Sequence, residues 1–166
     1  MPELLDAWSE FNVAMVGATA ALAGLLIVAM SVNIQTIMAS RSLPARIAAS
    51  LATLVLAIAV TALGLAPGQP GWAYGVEVLV ATAVAATFEW HAVGVIARDH
   101  ERSPSLRERL AKSALGVIPL AAYLAGGLAL LAGAGSAGLW FLALGAILAI
   151  ASAIVHAWVV LVEVLR

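Results

Sequence analysis

No cysteine occurs in the chain, which excludes disulfides, Cys-ligated zinc, iron–sulfur clusters, thiol catalysis and cysteine palmitoylation. The compartment stays undetermined on that ground. Charge is scarce as well: 10% of the residues are Asp, Glu, Lys or Arg, while 64% are hydrophobic and the mean hydropathy is +1.08. A soluble domain of 166 residues has a very different composition. Aromatic residues make up only 6%, so the apolar content is mostly Ala, Leu, Val, Ile and Gly, the material of closely packed membrane helices. The first ten residues contain no Lys or Arg, hence no basic region of a cleaved secretory signal, and the first hydrophobic segment is expected to stay as an anchor. Also missing are a phosphate-binding Gly loop, a nucleophile elbow, a metalloprotease His-Glu pair and any DNA-binding motif. Nothing in the sequence requires an enzyme, and nucleic acid is not an expected partner.

What is present is hydrophobic sequence in long runs. Five stretches, 12–38, 45–66, 72–97, 114–131 and 139–162, each approach the roughly 20 residues that a spanning helix needs. They are too long and too uniformly apolar for the alternation of a transmembrane barrel. The expected fold is an all-α integral membrane protein, a single domain of five transmembrane helices. Punctuation falls between the runs. Ser40-Arg-Ser-Leu-Pro44 precedes the second span, with Pro44 suited to a first helical turn, and Pro67-Gly-Gln-Pro-Gly71 breaks the chain before the third. Arg98-Asp-His-Glu-Arg-Ser-Pro104 reads as a polar loop, Ser105-Leu-Arg-Glu108 as a capping box, and Gly133-Ala-Gly-Ser-Ala-Gly138 as the last turn. Pro119 lies inside span four, where the lost backbone donor predicts a kink.

All eight basic residues fall in three segments: Arg41 and Arg46; Arg98, Arg102, Arg107, Arg109 and Lys112; and Arg166. These segments alternate along the chain with segments that have no basic residue. The positive-inside rule therefore predicts an external N-terminus and a cytoplasmic C-terminus, and the expected location is the cell inner membrane. Trp8, Phe11, Trp72, Tyr74, Trp140 and Phe141 then mark the outer boundary as an aromatic belt. The mixed charges of 98–112 suit topology and anionic headgroups.

Intramembrane polar residues are the candidate functional groups, because ionisable side chains in hydrocarbon are costly and usually face protein or water. They are Glu77, Glu89 and His91 in span three and His156 in span five. Helical projection puts Glu89 with Thr82 on one face, and His91 with Thr87, Gly94 and Arg98 on another. Two polar faces imply that helix three is central or wedged between subunits. Gly145, Ser152, His156 and Glu163 form a stripe that should be buried. His91 and His156 lie at similar depth, so a cluster of Glu89, His91 and His156 is expected to serve interhelical hydrogen bonding, a proton or cation relay, or metal or haem ligation through the imidazoles. No cofactor is required, and haem or a metal at His91 and His156 stays open. Glu77 lies near the outer interface.

Span one carries Gly17, Ala20, Ala21, Gly24, Ser31 and Gln35 along one side, a small-residue seam expected to pack against another helix. Asn12, Thr19 and Asn33 lie on a different side, where pore lining is the sharper reading. Helices one and three are thus expected to be central. Gly126, Gly127 and Pro119 in span four suggest tight packing or a hinge.

Trp8-Ser-Glu-Phe11 followed by Val16-Gly-Ala-Thr-Ala-Ala-Leu-Ala-Gly-Leu-Leu-Ile-Val-Ala-Met-Ser-Val-Asn33 resembles small bacterial multipass membrane proteins, some of which carry the label modulator of FtsH protease. The resemblance covers mainly the first span. It implies contact with a membrane protease and supplies no catalytic residues. From the residues themselves the leading expectation is a homo-oligomeric channel or transport protein for protons or small cations. The rivals are a nonconducting accessory or regulatory subunit of a membrane complex, and a membrane redox or metal-binding protein.

Overall fold

The computed structural model describes residues 2–40, 42–98 and 106–164. Seven helices follow one another: α1 Pro2–Ala7, α2 Ser9–Val32, α3 Ile34–Ala39, α4 Leu43–Leu63, α5 Gly71–Arg98, α6 Leu106–Leu131 and α7 Gly135–Val164. No strand occurs among the described residues. Four stretches are long and apolar enough to cross a membrane: Ser9–Val32, Leu43–Leu63, Gly71–Val95 and Gly135–Trp158. The apolar part of α6, Leu115–Leu131, is shorter.

Local chemistry explains the helix ends. Pro44 sits in the first turn of α4 as anticipated, where its missing N–H would have no intrahelical partner. Gly133, at φ +80°, closes α6, and the Ala134 N–H reaches back to the Ala129 carbonyl at 2.9 Å. The predicted single span over 12–38 is divided. α2 stops at Val32 because the Ser31 hydroxyl donates to the Ile27 carbonyl (2.9 Å) and the Asn33 amide to the Ala29 carbonyl (3.0 Å), next to a turn at Asn33. Such side-chain bonds to the preceding turn compete with the helical ladder, and hydropathy does not register them. α1 was not anticipated either. It lies over the Trp140 end, with Leu5 buried and the Trp8 ring meeting Trp140 edge to face at 4.9 Å. α6 runs unbroken through Pro119. The predicted loop over 99–104 and the N-cap at Ser105 lie outside the described residues.

α4 is the central helix, against the expectation that spans one and three are. It packs on α2, α5 and α7 and more lightly on α6, while α5, α6 and α7 pack in succession and α2 barely touches α7. In its most apolar window 56% of α4 is buried, against 17% for α2 and 22% for α5. Polar residues on two faces of α2 and α5 therefore mean one face in the bundle and one outside it. A neighbour on both sides is not needed within one chain.

Close backbone approach fixes α5 to α6 and α6 to α7. A Cβ at Gly75 would stand 3.0 Å from the Gly127 carbonyl, and one at Gly127 would stand 3.3 Å from that of Gly75. Gly126 and Gly138 are reciprocal in the same way, each placing a Cβ 3.1 Å from the other's carbonyl oxygen. Both predicted glycines of span four thus serve tight packing. Gly17 and Gly24 of α2 have nothing within 4 Å. Gly126→Val and Gly127→Val are expected to cost about 1–3 kcal/mol each through overpacking, whereas Gly24→Ala should be neutral or stabilising by up to about 1 kcal/mol. Thermal unfolding in detergent, followed by size-exclusion chromatography, checks the contrast.

Candidate functional site: two polar layers in the bundle

Exposed tryptophans give the bundle a scale. Trp72 and Trp90 on α5, and Trp140 and Trp158 on α7, are all at least 66% exposed, and each pair is separated by eighteen residues. Eighteen residues return to the same helix face and span about 27 Å, near the ~30 Å of a bilayer's hydrocarbon core. Trp90 and Trp158 were not singled out from the sequence. Their signal was the shared eighteen-residue spacing.

At the Trp72 end, α2, α4 and α5 converge on Gly64. A Cβ there would meet the Asn12 Nδ2 at 2.7 Å and the Tyr74 hydroxyl at 2.9 Å, so only glycine leaves room for both. Tyr74 is buried, not part of the predicted aromatic belt, and its hydroxyl donates to the Val60 carbonyl at 2.9 Å. Asn12 Nδ2 and the Tyr123 hydroxyl are buried without a hydrogen-bond partner. Tyr123 lies against Gly145, whose Cβ would stand 3.1 Å from the ring. Glu77 is half-buried at this same end and accepts a hydrogen bond from the Gln69 side chain in the α4–α5 connection, as its position near the outer interface implied.

At the other end Arg46, Ser50 and Thr53 form a buried stripe on α4, and Ser152 and His156 a buried pair on α7. Ser152 Oγ lies 3.4 Å from His156 Nδ1, one turn along the same helix. The expected burial of the Gly145, Ser152 and His156 stripe holds; the Glu163 side chain lies outside the description. Arg46 and Ser50 were not recognised as interior residues, because an arginine beside a loop reads as a topological signal and a serine in an Ala-rich helix as filler. Their clue was the i, i+4, i+7 spacing of Arg46, Ser50 and Thr53.

Glu89 is also buried, with Thr82 on the same face as projected. Its carboxyl occupies the space a side chain at Gly116 would fill: a Cβ there would lie 2.7 Å from Oε2 and overlap the rest of the carboxyl. One residue earlier in α6, the Leu115 carbonyl loses its helical donor to Pro119. His91 takes no part in this. It is exposed on the opposite face of α5 with Thr87, whose hydroxyl bonds the Val84 carbonyl at 2.7 Å. The expected Glu89, His91 and His156 cluster is therefore not assembled within the chain, and no group of three metal-binding side chains occurs among the described residues.

Between the layers the interior is apolar and closely packed. Leu54, Ala57, Val60, Val78, Tyr123 and Ala146 are fully buried there. Thr19, Thr53, Thr61 and Thr82 each return their hydroxyl to a carbonyl four residues earlier in their own helix, at 2.6–3.0 Å. A hydroxyl spent in this way is unavailable to relay a proton. The side of α2 suggested for pore lining, Asn12 and Thr19, is packed against the bundle, and the predicted packing seam, Gly17, Ala21, Gly24 and Ser31, is the uncovered side.

The two tyrosines give a paired test. Tyr74→Phe should cost about 0.5–1.5 kcal/mol by removing a satisfied hydroxyl, while Tyr123→Phe should be neutral or stabilising because its hydroxyl has no partner to lose. Tm measured in the same detergent checks the sign of each. No family model, curated protein or solved structure matches the chain.

Proposed function

We propose that the chain is a five-span inner-membrane protein, with the N-terminus outside and the C-terminus in the cytoplasm, that works as a nonconducting accessory or regulatory subunit of a membrane complex. α6 supplies the fifth crossing, its short apolar part extended by packing against α5 and α7 along its length. All basic residues then share the side of Trp90 and Trp158. The observation that carries the functional reading is the reversal of α2. Its small-residue seam faces away from the bundle, with Gly17 and Gly24 open, while the interior that would have to conduct is closed by apolar packing.

Small residues let helix backbones approach closely, and in lipid that approach is a main source of helix association. A partner's transmembrane helix seated on this seam would complete α2 as α5 and α7 complete α6. Membrane-protease contact, the implication of the first-span resemblance, is one form of this reading. Mild-detergent purification should then yield a stoichiometric hetero-complex, and Gly24→Leu should release the partner while leaving the monomer folded, since nothing lies within 4 Å of Gly24. Isolation as a monomer or a homo-oligomer alone would remove this function. Single cysteines in a naturally cysteine-free chain test the topology: Gly68→Cys should react with an impermeant maleimide from outside and Ser105→Cys only after permeabilisation.

A second reading is favoured by His91 and Thr87, polar residues exposed together on the outer face of α5. Here the chain is a homo-oligomeric proton or small-cation transporter whose pathway runs between subunits, along the exposed His91 and Thr87 face of α5. Liposome flux lost or altered on His91→Ala, and little changed on Glu89→Gln inside the bundle, is its expected signature. Absence of flux across ions and pH would rule it out.

A further inference from the structure

Where α2 parts from α7, the structure leaves a groove of about 410 Å³ that opens sideways from the bundle. One wall runs from Leu22 through Ala29 to Asn33 on α2. Ala157 and Trp158 form the other wall, and Leu54 of α4 forms the floor. From Leu22 to Asn33 the α2 wall is about 17 Å long, roughly half of a ~30 Å hydrocarbon core, which is the length of one leaflet. Polarity is confined to one end. Apart from Asn33 and the Trp158 indole the lining is aliphatic, and Trp158 belongs to the exposed tryptophan pair at the Arg46 end. Asn33 donates one N–H of its amide to the Ala29 carbonyl, which leaves its second N–H and its oxygen at the rim.

Charge completes the pattern. By sequence, the helix ends and connections on this side hold all eight basic residues of the chain against five acidic ones, Glu89, Asp99, Glu101, Glu108 and Glu163. The opposite end holds Glu3, Asp6, Glu10 and Glu77 and no basic residue. We propose that the groove is a binding site for one anionic phospholipid, with an acyl chain lying between α2 and α7 and the headgroup beside Trp158 and Asn33, at the end where the sequence is basic. An aliphatic slot of one-leaflet length, polar at a single end and basic beyond it, has the amphiphile's own order of chemistry. A second copy's helix would need neither the single polar end nor the charge. Anionic headgroups are drawn to basic juxtamembrane segments, and the slot holds the chain on two sides where ordinary boundary lipid is held on one.

The test is native mass spectrometry of the full chain after extraction in mild detergent and prolonged washing. One phospholipid per chain should remain, and exchange in mixed bicelles should favour phosphatidylglycerol over phosphatidylcholine several-fold. Ala29→Phe and Ala157→Phe fill the groove from opposite walls at positions exposed to it, and each should reduce retention several-fold with Tm preserved. Ala20→Phe, exposed outside the groove, should retain lipid like the parent. Wild type without bound phospholipid, equal retention in both filled variants, or equal retention of the two lipid classes would overturn the proposal. So would a lipid-free dimer that Ala29→Phe separates.

Discussion

Within hydrocarbon an apolar side chain gains little by leaving lipid for protein, so helices must be held by close contact and by hydrogen bonds. This constraint sorts the bundle. Where glycines let backbones meet, at Gly75 with Gly127 and at Gly126 with Gly138, α5, α6 and α7 form a tight three-helix block. α4 seats itself on that block through fully buried Ala57 and Val60. α2 shares α4 but has no such backbone contact with α7, and the separation between α2 and α7 follows. The lateral groove and the uncovered glycine face are two consequences of the same loose attachment.

Polar groups obey a related constraint, since each needs a partner once water is excluded. The chain meets it in two ways. Threonines in the middle of the bundle satisfy themselves within their own helices, so they fill space without linking neighbours. At the Trp72 end a polar group reaches between helices, Tyr74 of α5 to the Val60 carbonyl of α4, and at the other end His156 meets Ser152 within α7. Polar specificity is thereby concentrated near the two boundaries, and the apolar middle seals the chain.

Helical class, the main turns and the facial grouping of the polar residues were legible in the sequence because each depends on local chemistry: run length, Pro and Gly punctuation, and the 100° step. Glu89 shares a face with Thr82 as the projection required, and the face of Ser152 and His156 is buried as expected. What the projection lacks is the identity of the neighbour. It correctly separated His91 from Glu89 but did not say which of the two faced the bundle. On α2 it found both faces but assigned packing to the Gly17, Ala21 and Gly24 seam, whereas the covered face is that of Asn12 and Thr19. The end of α2 escaped for a different reason, because Ser31 and Asn33 act through side-chain geometry that a hydropathy window averages away. Tyr74 was assigned to the belt by depth alone, although depth and direction are independent properties of a helical residue.

Gly116 ties these lines together. A glycine in the interior of a helix costs about 0.5–1 kcal/mol relative to alanine, and three residues later Pro119 removes a hydrogen bond from the same helix. One of these two weakening residues has a visible use: the side chain missing at Gly116 admits the Glu89 carboxyl. Elsewhere in α6 the glycines admit backbone or leucine side chains, as at Gly126 and Gly127. At Gly116 alone among them the space is given to an ionisable group. The glycine that admits Glu89 therefore does different work from those that hold α6 in place, and it sets Glu89 apart from the structural polar contacts of both layers.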